Sequence, residues 1–306
     1  MLSIIVCSRN GNLNDRFTSN IAKTVGVDYE LICMDNSKNE YSISSAYNKG
    51  YQLSRFPFVC FVHEDVSFRT QNWGDKLIAH LNVPNTGLVG LAGGDGALRT
   101  PSDYGAFNRC MNIIHIDKNG VKPAEYVLLP KNQKESSRSV VMLDGVLLGA
   151  KREVFSKICF DESIGGFHGY DYDISIQSIV AGYYNYVMYD ISLEHYSKGN
   201  MNATYYRTML KVFKKWENDL PLIEHTVSDE FKQKQIPIIE QKNLAKLTKK
   251  LVRTGFTTSE ITDIVRYYSH KIQSNKIMSN IIFLRLKILF IRISSFLRKK
   301  NNYKVQ

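Results

Sequence analysis

The chain has 306 residues, 43% hydrophobic and 23% charged, which are ordinary globular values and exclude wholesale disorder. Its 7 prolines, 19 glycines and 5 cysteines exclude a collagen-like chain and a disulfide-stapled miniprotein. The net charge of +11 is unevenly distributed: residues 1–206 carry 19 Lys+Arg against 21 Asp+Glu, and residues 207–306 carry 21 against 8. The first two thirds therefore lack the electrostatic footprint of a nucleic-acid-binding protein.

In chain order, Leu2–Cys7 is a continuous apolar run of strand length, without the basic flank and cleavage site of a signal peptide. Phe17–Lys23 has helical spacing, and Tyr29–Met34 is a second strand ending at Asp35-Asn36-Ser37. Ile43–Ser54 is helical, Phe58–Val62 is a third strand ending at His63-Glu64-Asp65, Trp73–Leu81 is helical and Gly87–Leu91 is a fourth strand. This alternation predicts an α/β fold with a mixed, mainly parallel sheet covered on both faces, and ligands bound beyond the carboxyl ends of its strands. Residues 93–138 suggest loops or a small β insertion. Ser139–Leu143 reads as a strand, Lys151–Lys157 and Asp171–Ala181 as helices, and Tyr186–Met188 as a strand. Beyond residue 200 the pattern is helical, with segments Thr204–Trp216, Glu240–Arg253, Ser259–Gln273 and Ile281–Leu297. The expected organisation is a catalytic domain over 1–200 and a basic helical region over 201–306. Cys7, Cys33 and Cys60 lie in apolar runs with no Cys-x-x-Cys pair, as expected of reduced thiols in a cytoplasmic protein without a structural zinc.

Polar groups at strand ends carry the candidate chemistry. Asp35 can accept hydrogen bonds from a base or ribose, or simply cap a turn. After β-type backbone, alternate side chains share a side, so His63 and Asp65 can face one site while Glu64 points away. Oxygen ligands suit a hard divalent cation bridging two phosphates, and an imidazole is tolerated by Mn²⁺. Asp171 opens a predicted helix after a glycine-rich stretch; it reads either as a helix-start carboxylate or as a general base beside an acceptor hydroxyl. His195, a lone histidine just after a predicted strand, reads first as a structural histidine.

Taken in order, these stretches resemble the family 2 glycosyltransferases of the GT-A fold. Ser3-Ile4-Ile5-Val6-Cys7-Ser8-Arg9-Asn10 is similar to the family's first strand and nucleotide-contacting loop. Glu30-Leu31-Ile32-Cys33-Met34-Asp35-Asn36-Ser37 resembles its second strand, and Ala46-Tyr47-Asn48-Lys49-Gly50 the segment preceding its metal motif. Phe61-Val62-His63-Glu64-Asp65-Val66 occupies the place of the Asp-x-Asp motif, with His63 at its first acidic position. Asp144-Gly145-Val146-Leu147-Leu148-Gly149-Ala150 resembles the strand and loop before the acceptor region. Phe160-Asp161-Glu162 followed by Gly169-Tyr170-Asp171-Tyr172-Asp173-Ile174 matches a Phe-Asp-Glu … Gly-Glu-Asp-x-Asp-Leu stretch, with Tyr170 replacing the Glu.

The resemblance implies an inverting, hexosyltransferase-type enzyme that uses a nucleotide-diphosphate sugar, most often UDP-linked, and a hydroxyl acceptor in surface polysaccharide, glycolipid or glycoprotein synthesis. It implies Asp171 as the base and a divalent cation, Mn²⁺ or Mg²⁺, held by Asp65 and His195. Ser8, Arg9, Asn10, Asp35, Asn36, Asn48, His63, Glu64 and Asp144 are then expected on the donor side. Trp73, Tyr170, Tyr172 and Asp173 are expected on the acceptor side, where the three aromatics could stack on a sugar, although core packing is at least as good a reading of Trp73. A nucleotidyltransferase and a silent sugar-nucleotide-binding module are the competing readings; the short Ser8-Arg9-Asn10-Gly11-Asn12 loop, with one Gly, disfavours the former.

Ile281–Leu297 is apolar around most of a helix but interrupted by Arg285, Lys287 and Arg292. It is too charged to span a bilayer and suits an anionic membrane surface, which would attach the protein peripherally to the inner face of the cell membrane. Packing on the protein's own body, self-association into a homo-oligomer and nucleic-acid binding are the other readings of this segment.

Overall fold

A computed structural model of the chain describes residues 1–104, 106–116, 123–128, 135–197 and 199–273. The expected helix Ile281–Leu297 lies outside the described residues. Two compact units are formed. The first comprises Met1–Ala97, Tyr104–Gly199 and Leu222–Glu224; the second comprises Leu98–Asp103, Asn200–Pro221 and the described residues from His225 onward.

The first unit runs β1 (Leu2–Ser8), α1 (Asp15–Thr24), β2 (Tyr29–Asp35), α2 (Ile43–Leu53), β3 (Phe58–Val62), β4 (Val66–Phe68), α3 (Trp73–Leu81) and β5 (Thr86–Gly90). The strands β6 (Ala92–Gly94), β7 (Gly96–Ala97), β8 (Arg109–Ile116) and β9 (Pro123–Leu128) follow. Then come β10 (Ser137–Val140), β11 (Met142–Leu143), β12 (Leu147–Lys151), two 3₁₀ turns, α4 (Tyr170–Val180), β13 (Tyr184–Met188), β14 (Leu193–His195) and, further on, β15 (Leu222–Ile223).

The main sheet has seven strands in the order β10-β13-β5-β12-β3-β1-β2. Antiparallel pairing of β12 with β3 and β5, and of β10 with β13, leaves the other five strands running one way. The apolar run of β1 reflects burial on both faces of this sheet. Leu2, Ile4 and Val6 pack with Phe17 and Ile21 of α1 and Trp73, Leu77 and Leu81 of α3. Ile5, on the other face, packs with Ile43, Ala46 and Tyr47 of α2 and Tyr170 and Ile174 of α4. Asn14 and Ser42 supply the N-caps of α1 and α2, accepting from the Phe17 and Ser45 amides.

A second sheet, β11-β6-β8-β14-β4 with β9 added on β8, occupies the stretch expected to be loops or a β insertion and also captures β4 and β14. Those two strands are three residues long, too short to show a period in sequence. The strand expected over Ser139–Leu143 is divided: β10 pairs with β13 in the main sheet, while β11 pairs with β6 in the second. The helix expected over Lys151–Lys157 is a 3₁₀ turn, Arg152–Ser156.

In the second unit, α5 (Ala203–Lys215), α6 (Asp229–Arg253) and α7 (Thr258–Lys271) carry the helical pattern read from sequence. A capping box between Thr257 and Glu260 opens α7. On α6, Leu244, Leu247 and Leu251 are buried, whereas Lys242, Lys246, Lys249, Lys250 and Arg253 are exposed. Among the described residues no helix is long and apolar enough to cross a membrane.

Trp73 is fully buried, stacks on Phe68 at 4.0 Å between ring centroids, and donates from Nε1 to Thr24 Oγ1 at 3.1 Å. It joins α3, α1 and β4, and has no surface to offer a sugar. Trp73→Ala is expected to cost about 3–5 kcal/mol of unfolding free energy in a denaturant titration, the range for truncating a buried aromatic ring.

Candidate active site at the strand ends

The parallel register pairs Ser8 with Asp35, so the loops after β1 and β2 emerge together. Asp35 Oδ1 accepts from the Ser37 amide at 2.9 Å, and this bond, with the Ser37 hydroxyl and Lys38, holds its carboxyl below the usual range. Gly11 approaches the same carboxylate at φ +78°; a Cβ there would lie 2.8 Å from Asp35 Oδ1. The β1 loop is fastened from the next strand over. Glu64 accepts from Ser8 Oγ at 2.7 Å and from the Arg9 amide at 3.1 Å. Ser8 Oγ in turn lies 3.3 Å from the Asn10 amide. As alternation requires, Glu64 serves this loop while its two neighbours face elsewhere.

Those neighbours meet His195. The antiparallel register of β14 with β4 pairs His195 with Val66, next to Asp65. His195 Nε2 lies 3.2 Å from Asp65 Oδ1, and one ligand atom from each of His63, Asp65 and His195 falls within 4.8 Å of the others. Burial opposes ionisation of Asp65, but the hydrogen bond and charge of His195, the charge of His63 and the Ser197 hydroxyl outweigh it and hold the carboxyl low. Burial, then the adjacent His195, lowers His63, opposed by Asp65 and Asp144. The buried Nδ1 of His195 has no hydrogen-bond partner among the described residues. An ionised carboxylate with two clustered imidazoles is a donor set suited to a divalent transition cation. Ligand atoms about 2.1 Å from one ion lie up to roughly 4 Å apart, so the cluster needs only slight contraction to hold it.

A third group lies at the start of α4. Asp171 is buried, its Oδ2 accepts from Tyr104 Oη and the Gly145 amide, both at 3.2 Å, and its Oδ1 accepts from the Tyr172 amide at 3.0 Å. Burial and the charge of Asp144 outweigh these bonds and raise its carboxyl to about 7. Such a group exchanges a proton near neutrality, as a general base must. Tyr170 connects it to the imidazole cluster: its hydroxyl donates to Gly145 O at 3.1 Å and lies 2.9 Å from His63 Nε2. Asp144 Oδ1 accepts from the Val146 amide at 2.9 Å in the same turn.

Ser8, Arg9, Asp35, His63, Glu64, Asp65, Asp144, Tyr170, Asp171 and His195 are thus linked, directly or through a shared neighbour, at one end of the main sheet. Other expected site residues have bonds that serve the fold. Asn36 is buried and closes residues 36–41, donating to Tyr41 O at 3.0 Å and accepting from its amide at 2.9 Å. Asn48 donates to Phe160 O at 2.8 Å and Glu162 Oε1 at 2.9 Å, fastening α2 to the second 3₁₀ turn. Asp173 is fully buried and accepts from Gln177 at 2.7 Å, and Tyr172 is buried edge-on to Tyr104, 5.2 Å between centroids. Tyr104 and the close approach of Gly11 went unread. Tyr104 belongs to an irregular stretch without periodicity, and Gly11 was visible only as a glycine in a short loop.

Among curated proteins none matches the chain at the level of sequence. A crystal structure of GalNAc-T7 with UDP, GalNAc and Mn²⁺ shares the fold at a TM-score of 0.51 and 13% identity, covering 89% of this chain and 55% of that one. The chain therefore spans about half the length of that protein. The crystal structure of A197 from STIV aligns at a TM-score of 0.38 and 14% identity, over 64% of this chain and 86% of that one. The profile of a glycosyltransferase-like family matches residues 3–216, a span containing every strand-end residue described above. With its GT-A-like mixed sheet, the chain belongs to that glycosyltransferase family.

Proposed function

We propose that the protein is an inverting glycosyltransferase of the hexosyltransferase type, moving a sugar from a nucleotide-diphosphate donor, UDP-linked, to a hydroxyl of a carbohydrate, lipid-linked or protein acceptor. The observation carrying this reading is a buried aspartate, Asp171, raised to about 7 and tied through Gly145 and Tyr170 to the His63–Asp65–His195 cluster. The Mn²⁺ and UDP of GalNAc-T7 are in keeping with it.

In this reading Asp35 accepts from the base or ribose, and the Glu64-fastened loop at Ser8, Arg9 and Asn10 receives the diphosphate. His63, Asp65 and His195 would hold a divalent cation, whose charge would stabilise the departing diphosphate. Two imidazoles favour Mn²⁺ over the more oxygen-demanding Mg²⁺. Asp144 faces a hydroxyl of the donor sugar. The acceptor oxygen attacks the anomeric carbon from the face opposite the leaving group. As the new C–O bond forms, the bond to the diphosphate oxygen breaks and its electron pair leaves with that oxygen. The acceptor proton passes to Asp171, and the single displacement inverts the anomeric centre.

The attachment proposed for the protein is peripheral, to an anionic membrane surface on the cytoplasmic side. The basic bias after residue 206 and the exposed cations of α6 support it.

Four outcomes are expected. Because the ionised form of Asp171 is the active one, kcat/KM should fall about tenfold per pH unit below its pKa near 7 and level off above it. Asp171→Asn should lower kcat by roughly 10²–10⁴ with nucleotide affinity retained in calorimetry, and full turnover by this variant would remove Asp171 as the base. Asp65→Ala should weaken UDP binding when Mn²⁺ is present and leave it unchanged in chelator; equal affinities in both conditions would exclude the metal role. Full-length protein should pellet with anionic vesicles, and equal pelleting of a chain ending at residue 278 would exclude Ile281–Leu297 as the anchor.

A further inference from the structure

The hydroxyl of Tyr170 has one proton and, besides the Tyr47 hydroxyl, which can donate as well as accept, two hydrogen-bond contacts. It lies 3.1 Å from the carbonyl oxygen of Gly145 and 2.9 Å from Nε2 of His63. The ring cannot easily turn away from either. Tyr170 is 5% exposed, its ring meets Tyr47 edge-on at 5.8 Å, and Phe160 lies 6.2 Å away. The hydroxyl also fills the space beside Gly145, where a Cβ would approach it to 2.0 Å. Any side chain at position 145 would displace it.

A carbonyl oxygen can only accept, so the Gly145 contact takes the phenolic proton. The His63 contact must then be donated from the ring, as Nε2–H to the phenolic oxygen. The reverse arrangement, with the phenol donating to Nε2, would leave two buried oxygens facing each other at 3.1 Å with no proton between them. Fixing the proton on Nε2 fixes the lone pair on Nδ1.

We infer that Tyr170 is a positioning residue that holds His63 in the tautomer whose Nδ1 can ligate a cation. This rests on the reading that a divalent cation binds among His63, Asp65 and His195. It gives a purpose to the Tyr at the position where the family stretch has Glu. The hydroxyl orients a neutral ligand from behind, and the same turn supplies the Gly145 amide to Asp171 at 3.2 Å. Cation binding and the setting of the base are thereby joined through one residue, Gly145.

The test uses full-length protein and Mn²⁺ alone. Isothermal titration of the unmodified chain, Tyr170→Phe and His63→Ala measures affinity without requiring turnover. Tyr170→Phe keeps the buried ring and should bind Mn²⁺ about 10–100-fold more weakly, the usual effect of removing a partner behind a ligating histidine. Nitrogen-15 NMR of histidine-labelled, metal-free protein should show His63 protonated on Nε2. In Tyr170→Phe the two tautomers should mix. A merely structural tyrosine would lower the melting temperature without moving either readout. Equal Mn²⁺ affinity for Tyr170→Phe and the unmodified chain would overturn the proposal, as would Nδ1–H on His63 in the unmodified protein. Unchanged affinity in His63→Ala would remove His63 as a ligand and the proposal with it. Absence of Mn²⁺ binding by the unmodified chain would instead bring down the cation reading on which the proposal stands.

Discussion

The register between two three-residue strands fixes the centre of this protein. β14 lies between β8 and β4, and pairing of His195 with Val66 puts its imidazole beside Asp65. Side chains alternate along a strand, so a slip of one residue would turn His195 to the opposite face and bring Glu194 in its place. That alternative is blocked from the other side: Glu194 is bonded to Arg69 and Tyr196, and Leu193 is buried in the core beneath α1 and α3. Hydrophobic burial thus sets the register, and the register assembles a polar cluster from segments far apart in the chain.

The start of α4 shows how the fold sets a carboxylate between two charge states. Asp171 lies in the first turn, where helix amides favour an anion, and it accepts three hydrogen bonds. Desolvation and Asp144 oppose ionisation more strongly. Since the folded-state pKa is raised, folding favours the protonated form, and stability is lost as pH rises from about 4 toward 7. The cost above neutrality is on the order of 4 kcal/mol. The packing of Tyr170 and Ile174 against α2 and the sheet offsets it.

Much of this was legible from residues alone, for identifiable reasons. β3 and α3 are apolar segments with sharp polar ends, and their limits, Phe58–Val62 and Trp73–Leu81, match those read from the sequence. Alternation after β3 is enough to separate Glu64, bonded to Ser8, from His63 and Asp65 in the cluster with His195. The second sheet was legible only as the loops or small β insertion expected over 93–138: β4, β6, β11 and β14, of two or three residues each, have no period and are defined by their partners. Nor could the sequence distinguish a polar side chain facing a ligand from one facing its own backbone. Asn36 and Asn48 fall within motif-like stretches; Asn36 closes a loop and Asn48 fastens α2 to the second 3₁₀ turn. Trp73 could have stacked on a sugar by residue type, yet the indole is enclosed on every side.

The division of the chain into units does not follow its order. After α5 the backbone returns to lay Leu222 and Ile223 antiparallel to Ala97 and Gly96, and the Glu224 amide bonds to Asp95 O at 2.8 Å. Asp95, itself buried, gathers the amides of Ala106, Phe107 and Asn108. A fragment stopping near residue 200 would strip this short edge of its partner and leave the backbone of Gly96 and Ala97 to solvent, beside the loop that delivers Tyr104 to Asp171. Gene-level exchange of the helical portion between relatives would therefore have to carry residues 222–224 as part of the recipient's own sheet.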